Sequence, residues 1–150
     1  SKCGKSDGKF DMKKFTAINY KHLKDLISED EYKKHLSYFI DKEYLKYVPL
    51  VRSKAKTLKE AADDIHLVVN CKSKNNIYVD PTFISKLFLD FSSLDNLKNG
   101  IIKSFPDLSM KELTTNLRHL IIRDCVSPEI FHTMFLLGEK ICLQRINEFK

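Results

Sequence analysis

From about residue 10 to the end of the chain, apolar side chains return every three to four positions, and most of these runs begin just after a residue pair that starts helices. A stripe of that period lies along one face of an α-helix, and it leaves water only by packing on other helices. Ser28 with Glu31, Thr57 with Glu60 and Ser109 with Glu112 have capping-box spacing, in which hydroxyl and carboxylate satisfy orphan backbone donors reciprocally. Asp80-Pro81 and Ser127-Pro128 place a capping side chain before a proline, whose missing N–H costs nothing at the first helical position.

These signals predict a first helix from residue 11 to about 28, carrying Met12, Phe15, Ile18, Leu23, Leu26 and Ile27. A second helix opens at Ser28 with Tyr32, Leu36, Phe39, Ile40, Tyr44 and Tyr47 on its stripe, until Pro49 interrupts it. The Thr57 helix buries Leu58, Ala61, Ala62, Ile65, Val68 and Val69 and stops in the polar run 72–76. From Pro81, Phe83, Ile84, Leu87, Phe88, Leu89 and Phe91 surround most of a helix circumference, which predicts a central helix buried on more than one side. A short helix over 94–104, one from Ser109 and a long last one from Ser127 with Gly138 inside complete the set.

The fold class expected is all-α, a compact bundle of about six or seven amphipathic helices. The β-branched stretches 65–69 and 77–79 leave room for a minor two-stranded ribbon. At 150 residues the chain fits one core, so 10–150 is expected to be a single helical domain after a flexible lead-in over 1–9. No internal repeat is visible.

The charge is +6, carried by 26 basic against 20 acidic residues. Only Arg52, Arg118, Arg123 and Arg145 are arginine, and it is the guanidinium fork that grips phosphate and guanine in two places at once. Lysines spread among acids read first as a solvated, basic, soluble surface. The densest basic run is 46–59, with Arg52, Lys54 and Lys56, and tyrosines stand beside it. Tyr38, Tyr44 and Tyr47 crowd one segment, with Tyr38 off the apolar stripe, which makes an aromatic contact patch.

Chemistry is hard to find. Gly4-Lys5-Ser6 lacks the upstream glycine and strand of a phosphate loop, and Ser53-Lys54-Ala55-Lys56 lacks the companions of an S-x-x-K nucleophile. The five histidines show no metal-binding spacing, and Cys125 with His132 lacks an orienting third group. Asp63 and Asp64 are neighbours in sequence and so diverge on a helix. No enzyme, cofactor or metal site is therefore expected.

Cys3, Cys71, Cys125 and Cys142 contain no C-x-x-C pair, and their redox state stays open. Cys125 and Cys142 fall at apolar positions where a free thiol acts as a small hydrophobe. No run approaches the length of a membrane span, and a start at Ser1 without methionine suits a mature secreted form or a processed one, so secreted and cytoplasmic locations are equally open. The leading reading is a non-enzymatic binding module that engages a protein partner through a helical surface, with Tyr38, Tyr44, Tyr47, Arg52, Lys54 and Lys56 as its contacts. Second is a secreted carrier of a small hydrophobic ligand, which needs two disulfides and a dry cavity. A lysine-rich binder of nucleic acid or anionic membrane ranks behind both.

Overall fold

The computed structural model describes residues 28–124 and 126–150, and the expected lead-in, the helix over 11–28, Cys3 and Cys125 lie outside that range. Among the described residues the chain forms eight α-helices, one 3-10 helix and no strand. In order these are α1 (Glu29–Leu36), the 3-10 helix (Lys42–Tyr47), α2 (Val48–Val51), α3 (Leu58–Val69), α4 (Pro81–Lys86), α5 (Leu94–Ser104), α6 (Met110–Ile121), α7 (Ile130–Leu137) and α8 (Glu139–Asn147). The all-helical class is as the periodicity implies, and the 65–69 stretch is helical, with no ribbon.

Helix starts are made largely by the side chains that announce them. Ser28 Oγ accepts from the Glu31 N–H at 3.2 Å, Thr57 Oγ1 from Glu60 at 2.9 Å, and Asp80 Oδ1 from Thr82 at 2.9 Å. Ser109 and Glu112 complete both halves of a capping box, each bond 3.1 Å long.

Helix bounds depart from the sequence reading in three places. The run after Ser28 breaks at Leu36, where Ser37 Oγ donates to the Lys34 carbonyl at 2.6 Å and draws the chain out of the ladder. A 3-10 turn follows, and Pro49 sits in the first turn of α2 and does not interrupt a longer helix. The Pro81 helix is not a long central one. It stops at Lys86, Leu87 turns extended, and Asp90 Oδ1 accepts from the Ser92 N–H and hydroxyl to form a turn, so Phe88 is left 58% exposed. The last helix starts at Ile130, capped by Glu129 whose carboxylate accepts from the Phe131 and His132 N–H groups, and it divides at Gly138. Gly138 has φ 91° and ψ 162°, a region essentially closed to other residues, and nothing lies within 4 Å of where a Cβ would be. Backbone geometry and not close packing calls for glycine there.

Contacts cluster into two units that divide between Ile65 and His66. In the first, Tyr32, Leu36, Val48, Val51, Ala61 and Ile65 are fully or almost fully buried, and the 3-10 helix packs on α2. In the second, α5 packs on α7, while α6, α7 and α8 pack on one another around Leu97, Ile101, Leu117, Leu120, Met134 and Cys142.

Candidate functional site

In the first unit the expected contact residues separate. Tyr38, just past the end of α1, is 81% exposed, and Lys54 and Lys56 are exposed with no ion pair among the described residues. Tyr44 is half-buried, whereas Tyr47 is 2% exposed and belongs to the core, because the 3-10 turn rotates it inward. Tyr47 is thereby removed from the contact set. Arg52 is half-buried with its guanidinium 5.4 Å from the centre of the Tyr32 ring. The Tyr32 hydroxyl is buried without a hydrogen-bond partner among the described residues, and its pKa is pushed up to about 12 by burial, with Arg52 opposing and Asp64 and Glu60 adding to the rise. Asp64 itself is held above the ordinary carboxylate value by burial first and then by the charges of Glu60 and Asp63. Asp63 faces solvent and Lys59, 3.4 Å away, so the adjacent carboxylates do diverge.

In the second unit two of the arginines point inward. Arg145, 7% exposed, donates from Nη1 to the Ile121 carbonyl at 2.8 Å and from Nη2 to Val68 and Val69 at 2.9 and 3.2 Å, closing the C-terminal carbonyls of α3 and α6. Arg123, 6% exposed, donates to the carbonyls of Lys72 and Arg145 and to Glu148 Oε1 at 3.0 Å, beneath the Phe149 ring. These two guanidiniums hold helix ends and are not offered to a ligand.

Arg118 is different. It stands in the last turn of α6, half-buried, with Nε bonded to Ser127 Oγ at 3.0 Å. Ser127 in turn donates to the Pro128 carbonyl at 2.7 Å. Pinning Nε fixes the plane of the guanidinium and leaves the two terminal amino groups, with no partner among the described residues, as a fork for a phosphate or a base edge. The sequence marks Ser127 as the cap of the last helix, but Glu129 caps it and the Ser127 hydroxyl accepts from Arg118 instead. The nine-residue gap that lets a loop serine return to an arginine on the preceding helix carries no periodic signal.

Beside these, Phe83 and Phe105 stack at 4.4 Å between ring centres, under a surface hollow of about 220 Å³ lined also by Asp80, Lys86 and Asn116. Among the described residues no group of three His, Cys, Asp or Glu side chains could hold a metal ion, and no helix is long and apolar enough to cross a membrane. Among the described residues Cys71 and Cys142 are free thiols.

A family model described as an anticodon binding domain matches residues 19–150 of the chain. The chain is 27% identical over 133 residues to glutamate–tRNA ligase 1 of Campylobacter jejuni, a match covering 87% of this chain and 30% of the ligase. It is 32% identical over 176 aligned residues to glutamate–tRNA ligase 2 of Caldicellulosiruptor saccharolyticus, covering 97% of this chain and 35% of that ligase. The chain thus spans about a third of the length of the curated relatives it matches. These matches overturn the protein-partner reading, the hydrophobic-carrier reading and the ranking of nucleic acid behind a protein partner. The number of arginines is a poor guide here, because the sequence does not mark which of them close helix ends, as Arg123 and Arg145 do, and which face outward, as Arg118 does.

Proposed function

Because the chain belongs to the anticodon binding domain family, we propose that it binds tRNA at the anticodon, with a glutamate-accepting tRNA as its partner, and that the domain itself makes and breaks no bond. Such a partner locates it where translation runs, which counts against a secreted role. The observation that carries this reading is the family match across residues 19–150, and the similarity to glutamate–tRNA ligases supports the choice of tRNA. Arg118 is the side chain best placed to read a base edge, since its fork is held by Ser127 and otherwise unengaged among the described residues. Exposed Lys54 and Lys56, with Tyr38 and Arg52 in the same unit, supply contacts to phosphate and unpaired bases.

The test is a filter-binding titration of the 150-residue chain against a transcript of glutamate tRNA and the same transcript with its anticodon replaced, each at several salt concentrations. Affinity is expected to fall linearly in log–log form with salt, and the replaced anticodon to bind more weakly. Arg118→Ala is expected to cost about 1–3 kcal/mol on the native transcript and to narrow the gap between the two. Equal affinity of the wild-type chain for both transcripts would sink anticodon reading.

A further inference from the structure

Phe88 is a large apolar side chain left in water by the early end of α4, 58% exposed between α4 and α5. It is not loosely placed. Its ring sits against Gly100 of α5 so closely that a Cβ at that glycine would come within 3.0 Å of Cδ2 and 3.3 Å of Cε2. Phe88 and Gly100, with Asp90, Asn96, Asn99 and Lys103, line a surface hollow of about 400 Å³, a size within the roughly 300–1,000 Å³ of small-ligand clefts.

The polar wall of this hollow is ordered. Asp90 Oδ1 accepts from the Ser92 hydroxyl at 2.6 Å and from the Ser92 N–H at 3.0 Å, which together hold its carboxyl below the ordinary value and keep it charged. Asn96 Nδ2 donates to Ser92 Oγ at 2.9 Å, turning the amide oxygen of Asn96 away from that bond as an acceptor with no donor among the described residues. Asn99 and Lys103, one turn apart along α5, have no side-chain partner among the described residues. An exposed ring beside an oriented amide, with a lysine and an aspartate in the same lining, matches an unpaired base: a face to stack, an edge to bond, and a phosphate drawn to lysine.

Resting on the tRNA reading, we propose that this hollow takes one unpaired base of the bound RNA, stacked on Phe88, with Asn96 and Asn99 at its edge and Lys103 on its phosphate. Gly100 serves the site by letting the ring lie against α5, and the Asp90–Ser92–Asn96 chain sets the amide orientation.

The test uses the full chain and the glutamate tRNA transcript, with Phe88→Ala, Phe88→Tyr, Gly100→Ala and Lys103→Ala. Phe88→Ala is expected to weaken binding about fivefold or more with the salt slope unchanged, because stacking releases no counterion. Phe88→Tyr keeps the stacking face and wild-type affinity. Gly100→Ala keeps the ring but displaces it, and it weakens binding while α5 gains a better helix former. Lys103→Ala lowers the magnitude of the salt slope by roughly 0.7–0.9, the loss of one phosphate contact. Wild-type affinity in Phe88→Ala, with the wild-type chain binding the transcript normally, overturns this site alone. No binding by the wild-type chain overturns the tRNA reading and this site with it.

Discussion

At the scale of single residues, burial fixes the protonation of two groups on which the fold depends. Cys142 is fully buried, as its place on an apolar helical stripe implied, and its Sγ lies 3.4 Å from the Met134 carbonyl. Burial pushes its thiol up to about 12 from 9.0, with Arg145 opposing. Tyr32 rises to about 12 from 10.0 in the same way. Both groups keep their protons in the folded chain at a pH where the unfolded chain has released them. Stability from this source is therefore complete below about 9 and is lost as the pH climbs toward about 12. Urea midpoints measured against pH should hold level to near 9 and then fall. Cys142→Ala should delay the onset toward 10, where Tyr32 takes over, and an unchanged onset in that variant would count against a buried thiol.

At the scale of elements, most helix starts were legible in the sequence, the Glu129-capped start at Ile130 being an exception, and the ends were not, and the reason is physical. A cap is a local bond between residues two or three apart, so Ser109 and Glu112 announce themselves. An end is set by what the last carbonyls and the next turn find in space. The apolar run 83–91 continues in sequence, yet α4 stops at Lys86. The serines after Asp90 were the available signal, since Asp90 with Ser92 is a turn and Ser93 caps α5 with a 3.0 Å bond to the Asn96 N–H. The end of α6 shows the same dependence on distant partners. Ile122 and Arg123 both donate their N–H groups to the Arg118 carbonyl at 2.8 Å, and Arg123 adopts φ 64°, a cap position that ordinarily falls to glycine. Its guanidinium explains why a side chain is kept there, since it joins the carbonyls of Lys72 and Arg145 to Glu148. Arg123→Ala loses those bonds and keeps the unfavourable backbone, whereas Arg123→Gly loses only the bonds. The glycine variant should be the more stable of the two by about 1 kcal/mol in urea unfolding, with both below wild type. Equal stability would show that the left-handed conformation carries no cost at this site.

At the scale of the whole molecule, the fold class was legible because burial of a helical stripe is a collective demand repeated along the chain. Function was not, because recognition rests on a few side chains whose surroundings decide their role. Arg118 and Arg145 look alike in sequence, yet one presents a pinned fork and the other closes helix ends. Counting arginines against lysines therefore said nothing about the surface. With a net charge of +6, a field made chiefly by lysine draws any polyanion, and discrimination is left to the few groups that reach bases. The two roles are separable by experiment. Removing Lys54 and Lys56 together should lower the magnitude of the salt slope by up to about 1.8, if each gives up one phosphate contact. The loss of affinity should be the same for native and anticodon-replaced transcripts, since phosphate carries no sequence. Arg118→Ala should do the reverse, changing the ratio between transcripts more than the slope. If the lysine pair altered the ratio and left the slope untouched, the division between a general field and a specific reader would be wrong, and those lysines would have to be placed against bases.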